Sequence, residues 1–398
     1  MNRREVKKAP VLRFKGFTND WEQRKFENLV SRLSKTSNNE SLPNVTYDDI
    51  KSKEKSLNKD ITELTHGKKG IHFNKDDILF GKLRPYLGNI LLARFNGIAV
   101  GDFWVLSPKD NNISSFLFDL IQTSKFKYIS NLSSGSKMPR SDWNLVSKAS
   151  FWVPIQQEQN KIGKIFQLID NLVSLQQRKV KMLVLLKKEI SNYYFSPSYL
   201  SRSCKENSFK EIFTVVTDYV ANGSFKSLRE NVKTNTKQGY AYMIRLQDAS
   251  NNWKGPWLYT DKSGYNFLKK SKICPGDIVM SNVGSVGKII RIPKLSKPMT
   301  LAPNAILLRS TKYDNDFLYE LLKSDYGKNK IKRMTTPGVQ NKINKTDFKK
   351  IKVHLPNSQE QKRISCLLTN MNILIHEVKS NISQKQKLKQ FLLQNMFI

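Results

Sequence analysis

An internal repeat with a period of about 200 residues constrains the fold of this chain more than any other feature of its sequence. Nine positions match in register at an offset of 202 residues: Pro154/Pro356, Gln157/Gln359, Glu158/Glu360, Gln159/Gln361, Ile162/Ile364, Ile165/Leu367, Phe166/Leu368, Ile169/Met371 and Leu172/Leu374. Solenoid repeats are much shorter, at roughly 20 to 50 residues. The repeat therefore predicts two complete domains in tandem.

The repeat also extends towards the N-terminal side of each copy. Asp77-Ile78-Leu79 corresponds to Asp277-Ile278-Val279 at an offset of 200, and the segment 116–120 corresponds to 317–321 at an offset of 201. The small drift is what loops of unequal length produce. Short apolar runs such as 103–106 and 305–308, bounded by Gly, Pro and Asn, predict strands in both copies. Each copy therefore begins with a mixed α/β head of roughly 150 residues.

Each head is followed by a segment that predicts a long helix. Pro154 and Pro356 end the preceding strand, and Ser358-Gln359-Glu360 is a typical helix start. Apolar residues then recur at spacings of three, four or seven. These positions are Ile162, Phe166, Ile169, Val173, Val180, Leu183 and Leu186, then Ile364, Leu368, Met371, Ile375, Val378, Ile382 and Leu392. Two matched stripes in one chain favour pairing as a coiled coil over packing of each helix on its own head.

The predicted fold is α+β, with two pseudo-repeated α/β heads separated by two long helices that form an antiparallel coiled coil. The predicted boundaries are residues 1–153 for the first head, 154–200 for the central helix, 201–355 for the second head and 356–398 for the C-terminal helix. About 38 helical residues at roughly 1.5 Å each give a rod of roughly 55 Å.

The charge of the chain predicts a polyanionic partner. Lys and Arg number 68 against 33 Asp and Glu, which leaves a net charge of +35. Such a field attracts nucleic acid, although DNA, RNA and anionic membranes all remain open on charge alone. No run approaches the roughly 20 apolar residues that span a bilayer. Cys204, Cys274 and Cys366 match neither a disulfide framework nor a zinc site, so we expect a cytoplasmic protein.

The paired Pro-x-x-Gln-Glu-Gln entries into long helices resemble the specificity subunits of type I restriction–modification enzymes. The resemblance covers nearly the whole chain and is supported by Pro275-Gly276-Asp277-Ile278-Val279 and by the run 242–248. The first head departs from the pattern, because Lys75-Asp76-Asp77 replaces its Pro-Gly-Asp turn.

The resemblance implies a non-catalytic DNA-recognition subunit. Each head would read one half of a gapped, asymmetric target in double-stranded DNA, and the helices would dock two modification subunits. S-adenosylmethionine, ATP and Mg would then be bound by the modification and restriction subunits and not by this chain. The candidate partner contacts are Gln157, Glu158, Gln159, Gln359, Glu360 and Gln361.

Polar loops of the heads supply the candidate DNA contacts, because Lys and Arg bind phosphates and Arg or Gln can also read base edges. The candidates are Lys82, Arg84, Lys137, Arg140, Lys226, Arg229, Gln340, Asn341 and Lys342. Among them, Arg84, Arg140 and Gln340 are the preferred base readers. Lys226 and Arg229 are expected to contact the DNA backbone.

Two other classes of function stay open at this stage. A self-contained methyltransferase would need a glycine-rich cofactor loop after a strand and an Asn/Asp-Pro-Pro-aromatic motif, and the sequence has neither. The glycine cluster Gly284-Ser285-Val286-Gly287 lacks phosphate-loop spacing, and the four His residues form no metal motif of the kind a nuclease would use. An RNA-binding scaffold would also suit the charge, but the aromatic residues mostly stand within apolar runs, as core residues do.

Overall fold

The computed structural model describes residues 9–132, 138–203, 205–338 and 340–398, with the side chains of 201–203 left aside. The chain divides into two compact units. The first unit comprises residues 1–178 and 379–398, and the second comprises 179–378. Each unit therefore contains one head and one part of each long helix.

The first unit is built from twelve described strands and four helices, the last of which continues into the second unit. The strands are β1 (Glu22–Lys25), β2 (Val30–Leu33), β3 (Thr36–Ser37), β4 (Asn44–Val45), β5 (Ile50–Lys51), β6 (Ser56–Leu57), β7 (Gly70–Phe73), β8 (Ile78–Gly81), β9 (Ile90–Leu92), β10 (Gly97–Ala99), β11 (Phe103–Pro108) and β12 (Ser150–Val153). The helices are α1 (Ser114–Leu120), α2 (Ser124–Ser130), α3 (Trp143–Lys148) and α4 (Gln156–Tyr194).

The second unit repeats this plan with additional short helices. Its helices are α5 (Pro197–Ser203), α6 (Phe209–Ile212), α7 (Phe225–Asn231), α8 (Leu246–Ser250), α9 (Lys262–Phe267), α10 (Asn315–Lys323), α11 (Asp325–Arg333), α12 (Lys345–Lys350) and α13 (Ser358–Asn395). Its strands are β13 (Lys205–Ser208), β14 (Val215–Asp218), β15 (Thr234–Asn235), β16 (Ala241–Ile244), β17 (Tyr259–Thr260), β18 (Lys272–Ile273), β19 (Ile278–Ser281), β20 (Ile289–Arg291), β21 (Met299–Leu301), β22 (Ala305–Arg309) and β23 (Lys352–Leu355).

The sheets confirm the predicted repeat. The antiparallel sheet β2-β11-β8-β9 of the first head has its counterpart in β14-β22-β19-β20 of the second. A second sheet lies beside each of them, in the orders β3-β7-β10-β4 and β15-β17-β16-β21-β18. The strand pairs β1-β12 and β13-β23 join the start of each head to its end.

Each central strand is buried on both faces, which explains its continuous apolar run. Successive side chains of a strand point to opposite faces. Trp104 and Leu106 of β11 therefore pack with the helices, whereas Phe103 and Val105 pack against the second sheet. In β22 the same alternation sends Ile306 and Leu308 to the helical side and Ala305 and Leu307 to the other.

The two long helices run in opposite directions in each unit, as predicted. In the first unit the start of α4, with Ile162 and Phe166, shares a core with Leu392 and Phe397 at the end of the chain. In the second unit the core joins Phe195, just after α4, with Ile364 and Leu368 near the start of α13. The predicted apolar positions are buried or half-buried, apart from Leu186, which is exposed because it lies outside the seam. Throughout the described ranges, no helix is long and apolar enough to cross a membrane.

Candidate nucleic-acid interface

Three predicted DNA-contacting residues of the first head lie on two loops that the fold joins. Leu83 and Arg140 form an isolated antiparallel bridge. On either side of it, the Arg84 amide donates to the carbonyl of Pro139 at 2.7 Å, and the Ser141 amide donates to the carbonyl of Lys82 at 2.8 Å. Lys82, Arg84 and Arg140 are therefore neighbours at one edge of the head, although they are distant in sequence.

The two joined segments, residues 82–88 and 139–141, are called the bridge loop below, and Asp102 pairs with two of its cations. Its carboxylate binds the Arg140 guanidinium at 3.0 Å and the Lys82 ammonium at 3.4 Å. Burial raises the pKa of Asp102, but the hydrogen bonds from Arg140 and Lys82 outweigh that effect and hold the pKa below its ordinary value. One ionised carboxylate beside three cations leaves a net charge of +2, which suits a phosphate backbone.

Tyr47 holds the backbone of the same loop in place. Its hydroxyl donates to the backbone carbonyl of Asp102 at 2.6 Å and accepts from the Leu83 amide at 3.2 Å. Burial raises the pKa of Tyr47 to about 12, so the hydroxyl keeps its proton at neutral pH. A half-buried side chain of the head therefore holds the backbone beside these cations in place.

The second head builds the same bridge with different side chains. Val283 pairs with Lys342, the Gly284 amide donates to the carbonyl of Asn341 at 2.9 Å, and the Ile343 amide donates to that of Asn282 at 3.0 Å. Gln340, Asn341 and Lys342 thus occupy the place of residues 138–140 of the first head. Asn282 and Asn304 stand where the first head has Lys82 and Asp102, so amides replace an ion pair.

The remaining candidates lie elsewhere. Lys226 and Arg229 are exposed on α7, which packs against α9 and the 3-10 turn Tyr219–Asn222. Lys137 lies outside the described residues. Within the ranges that the structure describes, no group of three or more His, Cys, Asp or Glu side chains is placed to hold a metal ion.

The predicted partner contacts divide into buried and exposed residues. Glu158, Gln159 and Gln361 are buried, Glu360 is partly buried, and Gln157 and Gln359 are exposed. Arg13 binds both carboxylate oxygens of Glu158 at 2.7 and 2.8 Å, and the pKa of Arg13 is raised by this hydrogen bond.

The buried members join head to helix. Gln159 accepts from the Ile113 amide at 3.0 Å and donates to the carbonyl of Pro154 at 3.0 Å, and Gln361 donates to that of Pro356 at 2.8 Å. Because these side chains form hydrogen bonds within the protein, other residues make up the exposed surface of the long helices.

The sequence predicted that the long helices dock partners, but it indicated only Leu172, Leu186, Leu367 and Leu374 among the apolar side chains that these helices leave exposed. In the first unit these are Leu168, Leu172, Leu175, Leu388 and Phe391, and in the second they are Met182, Val184, Leu185, Leu186, Leu367, Ile373 and Leu374. Their signal was a second set of apolar positions beside the main stripe, such as the spacing of 168, 172 and 175. Exposed apolar surface of this kind is typical of protein interfaces.

A second missed feature is the pair Tyr86 and Leu87, which is exposed beside Arg84. It belongs to the 3-10 turn Pro85–Leu87 in the bridge loop. Its only sequence signal was a tyrosine and a leucine after a proline, which a core turn would show equally well.

Comparison with known proteins gives one consistent result. The sequence matches the family described as type I restriction modification DNA specificity domain twice, over residues 18–184 and 203–385. It is 23% identical over 339 residues to the specificity subunit of the type I restriction enzyme MjaVIII from Methanocaldococcus jannaschii, covering 81% of this chain and 78% of that protein.

The fold agrees with these matches. The crystal structure of a type I restriction–modification system S subunit from M. genitalium superimposes with a TM-score of 0.60 at 16% identity, covering 98% of this chain and 99% of that one. A structure from work on complex assembly and conformational transition of the type I system superimposes with a TM-score of 0.53 at 14% identity, covering 94% and 96%.

Proposed function

The chain belongs to the type I restriction–modification DNA specificity family, and we therefore propose that its two heads read the two unlike halves of a gapped DNA target. As a specificity subunit, it recognises the DNA target. The supporting observation is that both heads carry the same bridge between two loops, with different side chains on it. Identical heads would favour a palindrome, whereas unlike heads on one chain favour an asymmetric site.

The first head would read its half-site with charged residues. Arg84 is exposed at the loop that Asp102 and Tyr47 hold in place, and guanidinium groups bind guanine edges bidentately. Lys82 and Arg140 retain part of their surface beside Asp102 and would contact phosphates or bases.

The second head would read with amides. Gln340 and Asn341 stand on its bridge loop, and amide side chains pair best with adenine. The two halves of the target would therefore differ in composition. Lys226 and Arg229 on α7 would add backbone contacts.

The long helices would carry the docking surface for the other subunits of the enzyme. The exposed apolar residues of α4 and α13 offer this surface in both units, together with Gln157 and Gln359 at the helix starts. Each unit presents one such region, and one modification subunit would dock on each. Methyl transfer with S-adenosylmethionine, and ATP-driven restriction with Mg, would take place in the partner subunits. This chain would determine the DNA sequence on which they act.

Adenine methylation, mapped at base resolution in host DNA with and without this gene, tests the proposal. We expect a gapped, asymmetric motif that disappears on deletion. Exchange of residues 1–153 for the corresponding head of another specificity subunit should change one half of the motif. An unchanged methylome, with the partner subunits expressed, or a change in both halves after the exchange, would contradict the two-head assignment.

A further inference from the structure

The bridge loop of the first head presents two large apolar side chains to solvent. Tyr86 is 62% exposed and Leu87 is 48% exposed. Pro85, which lies between Arg84 and Tyr86 in the sequence, is buried. We call Tyr86 and Leu87 the apolar knuckle. Apolar side chains that are exposed next to one another are a feature of binding surfaces.

The knuckle is held rigidly by its own backbone. The Leu87 amide donates to the carbonyl of Arg84, and the Gly88 amide donates to that of Pro85, both at 2.9 Å. Arg84 and Gly88 flank the turn with φ values of 49° and 69°. A positive φ is costly for arginine, so the surrounding contacts must fix this conformation.

A half-buried lysine supports the turn from the other side. Lys55 donates to the carbonyl of Gly88 at 3.0 Å, and a Cβ at residue 88 would lie 2.8 Å from its ammonium nitrogen. Burial lowers the pKa of Lys55 to about 8. The positive φ favours glycine at position 88, and the exposed side chains stand on a preorganised turn.

Charge identifies the partner of the knuckle as nucleic acid. Lys82, Arg84 and Arg140 belong to the same two joined loops, and the carboxylate of Asp102 is already paired with two of them. DNA-binding proteins place apolar side chains against thymine methyl groups or between base steps, next to cations that bind the phosphates.

The second head lacks such a knuckle. Its bridge loop has Gly284, Ser285, Val286 and Gly287 where the first head has residues 84–88, and Val286 packs partly against the core. The two heads therefore differ in an apolar contact as well as in charge.

We propose that Tyr86, supported by Leu87, contacts the bases of the half-site read by the first head and helps to determine its specificity. This inference rests on the proposed function. Because the tyrosine side chain is uncharged, it does not change the number of phosphate charges that the complex neutralises.

Binding of the specificity subunit, assembled with its modification subunits, to duplexes substituted at each base pair tests this inference. Tyr86→Ala should weaken binding to the target on the order of tenfold and reduce discrimination at positions of the first half. Discrimination in the second half and the slope of affinity against salt should stay as in the wild type. Tyr86→Phe should behave as the wild type, because it keeps the ring.

Each outcome separates the two proposals. If the wild-type complex shows no gapped motif, the proposed function fails. If it does, but Tyr86→Ala binds the target within twofold of the wild type or loses discrimination in both halves equally, the knuckle is not a base reader.

A second measurement needs no variant: 5-bromodeoxyuridine at thymine positions of the first half should photocrosslink the wild-type complex at the peptide that contains Tyr86. Crosslinks only to other peptides would overturn the inference.

Discussion

The ammonium group of Lys389 binds both carboxylate oxygens of Asp170 at 2.7 Å in the first unit. The lysine at the equivalent position of the repeat, Lys187, instead binds Glu320 of the head helix α10 at 2.9 Å. Asn372, the counterpart of Asp170, also donates to Glu320 at 2.9 Å. One lysine position therefore ties helix to helix in one unit and helix to head in the other.

The two lysines should differ in their effect on stability. The Glu320 side chain is only 4% exposed, so Lys187→Met leaves a buried carboxylate with less compensation and should cost roughly 3 kcal/mol of unfolding free energy. The Asp170 side chain is 38% exposed, so Lys389→Met should cost about 1 kcal/mol or less. Denaturant unfolding of both variants checks this order. Equal losses would contradict the difference in burial.

Asp119 should make the stability of the first unit depend on pH. Burial raises the pKa of Asp119 well above its ordinary value, Lys389 opposes this effect, and Asp170 adds to it. Gln122 donates to the same carboxyl group at 3.4 Å. The unfolded pKa is about 3.9, so the stabilisation is complete below about pH 4 and is lost as the pH rises towards the folded pKa.

Asp119→Asn should remove this dependence, because an amide resembles the protonated acid and does not titrate. Unfolding free energies of wild type and variant should be measured from about pH 4 to pH 8. They should converge towards pH 4, because Asp119 of the wild type becomes protonated there and then resembles the amide. A wild-type slope that persists unchanged in Asp119→Asn would assign the pH dependence to other groups.

Asp102→Asn should increase non-specific DNA binding and weaken discrimination in the first half-site. The change removes one negative charge and releases Lys82 and Arg140 from their shared carboxylate. We expect the salt slope of log affinity to steepen by about one. Asp110→Asn is the matched control, because Asp110 carries the same charge and pairs with Arg24 at 3.1 Å elsewhere in this unit. A control variant with the same loss of discrimination would show that charge alone is responsible.

Leu175→Asp should abolish co-purification with the modification subunits without unfolding the chain. Leu175 is 64% exposed on α4, so a carboxylate there costs little in the isolated chain but is desolvated when a partner docks. Ser174→Asp places the same charge on an adjacent exposed position and should be tolerated. If Leu175→Asp still retains the modification subunits in a pull-down, this face of α4 is not the docking surface.

The sequence was enough to predict the tandem repeat, the central strands and the seams of the long helices. These features follow from periodicity, because alternation in residues 103–106 and the three-four spacing from Ile162 to Ile169 specify faces that must be buried. It also placed Lys82, Arg84 and Arg140 as candidates, and Gln340 to Lys342 as their counterpart.

Which of these residues contact one another became visible only in the folded chain. Asp102 joins Lys82 to Arg140 through loops that are distant in sequence, and Glu158 turns inward to Arg13 although its neighbour Gln157 is exposed. Lys187 and Lys389 are equivalent in the repeat yet bind different carboxylates. Burial patterns repeat locally along the chain, whereas the partner of a charged side chain depends on which distant groups the fold brings within a few ångströms and shields from water.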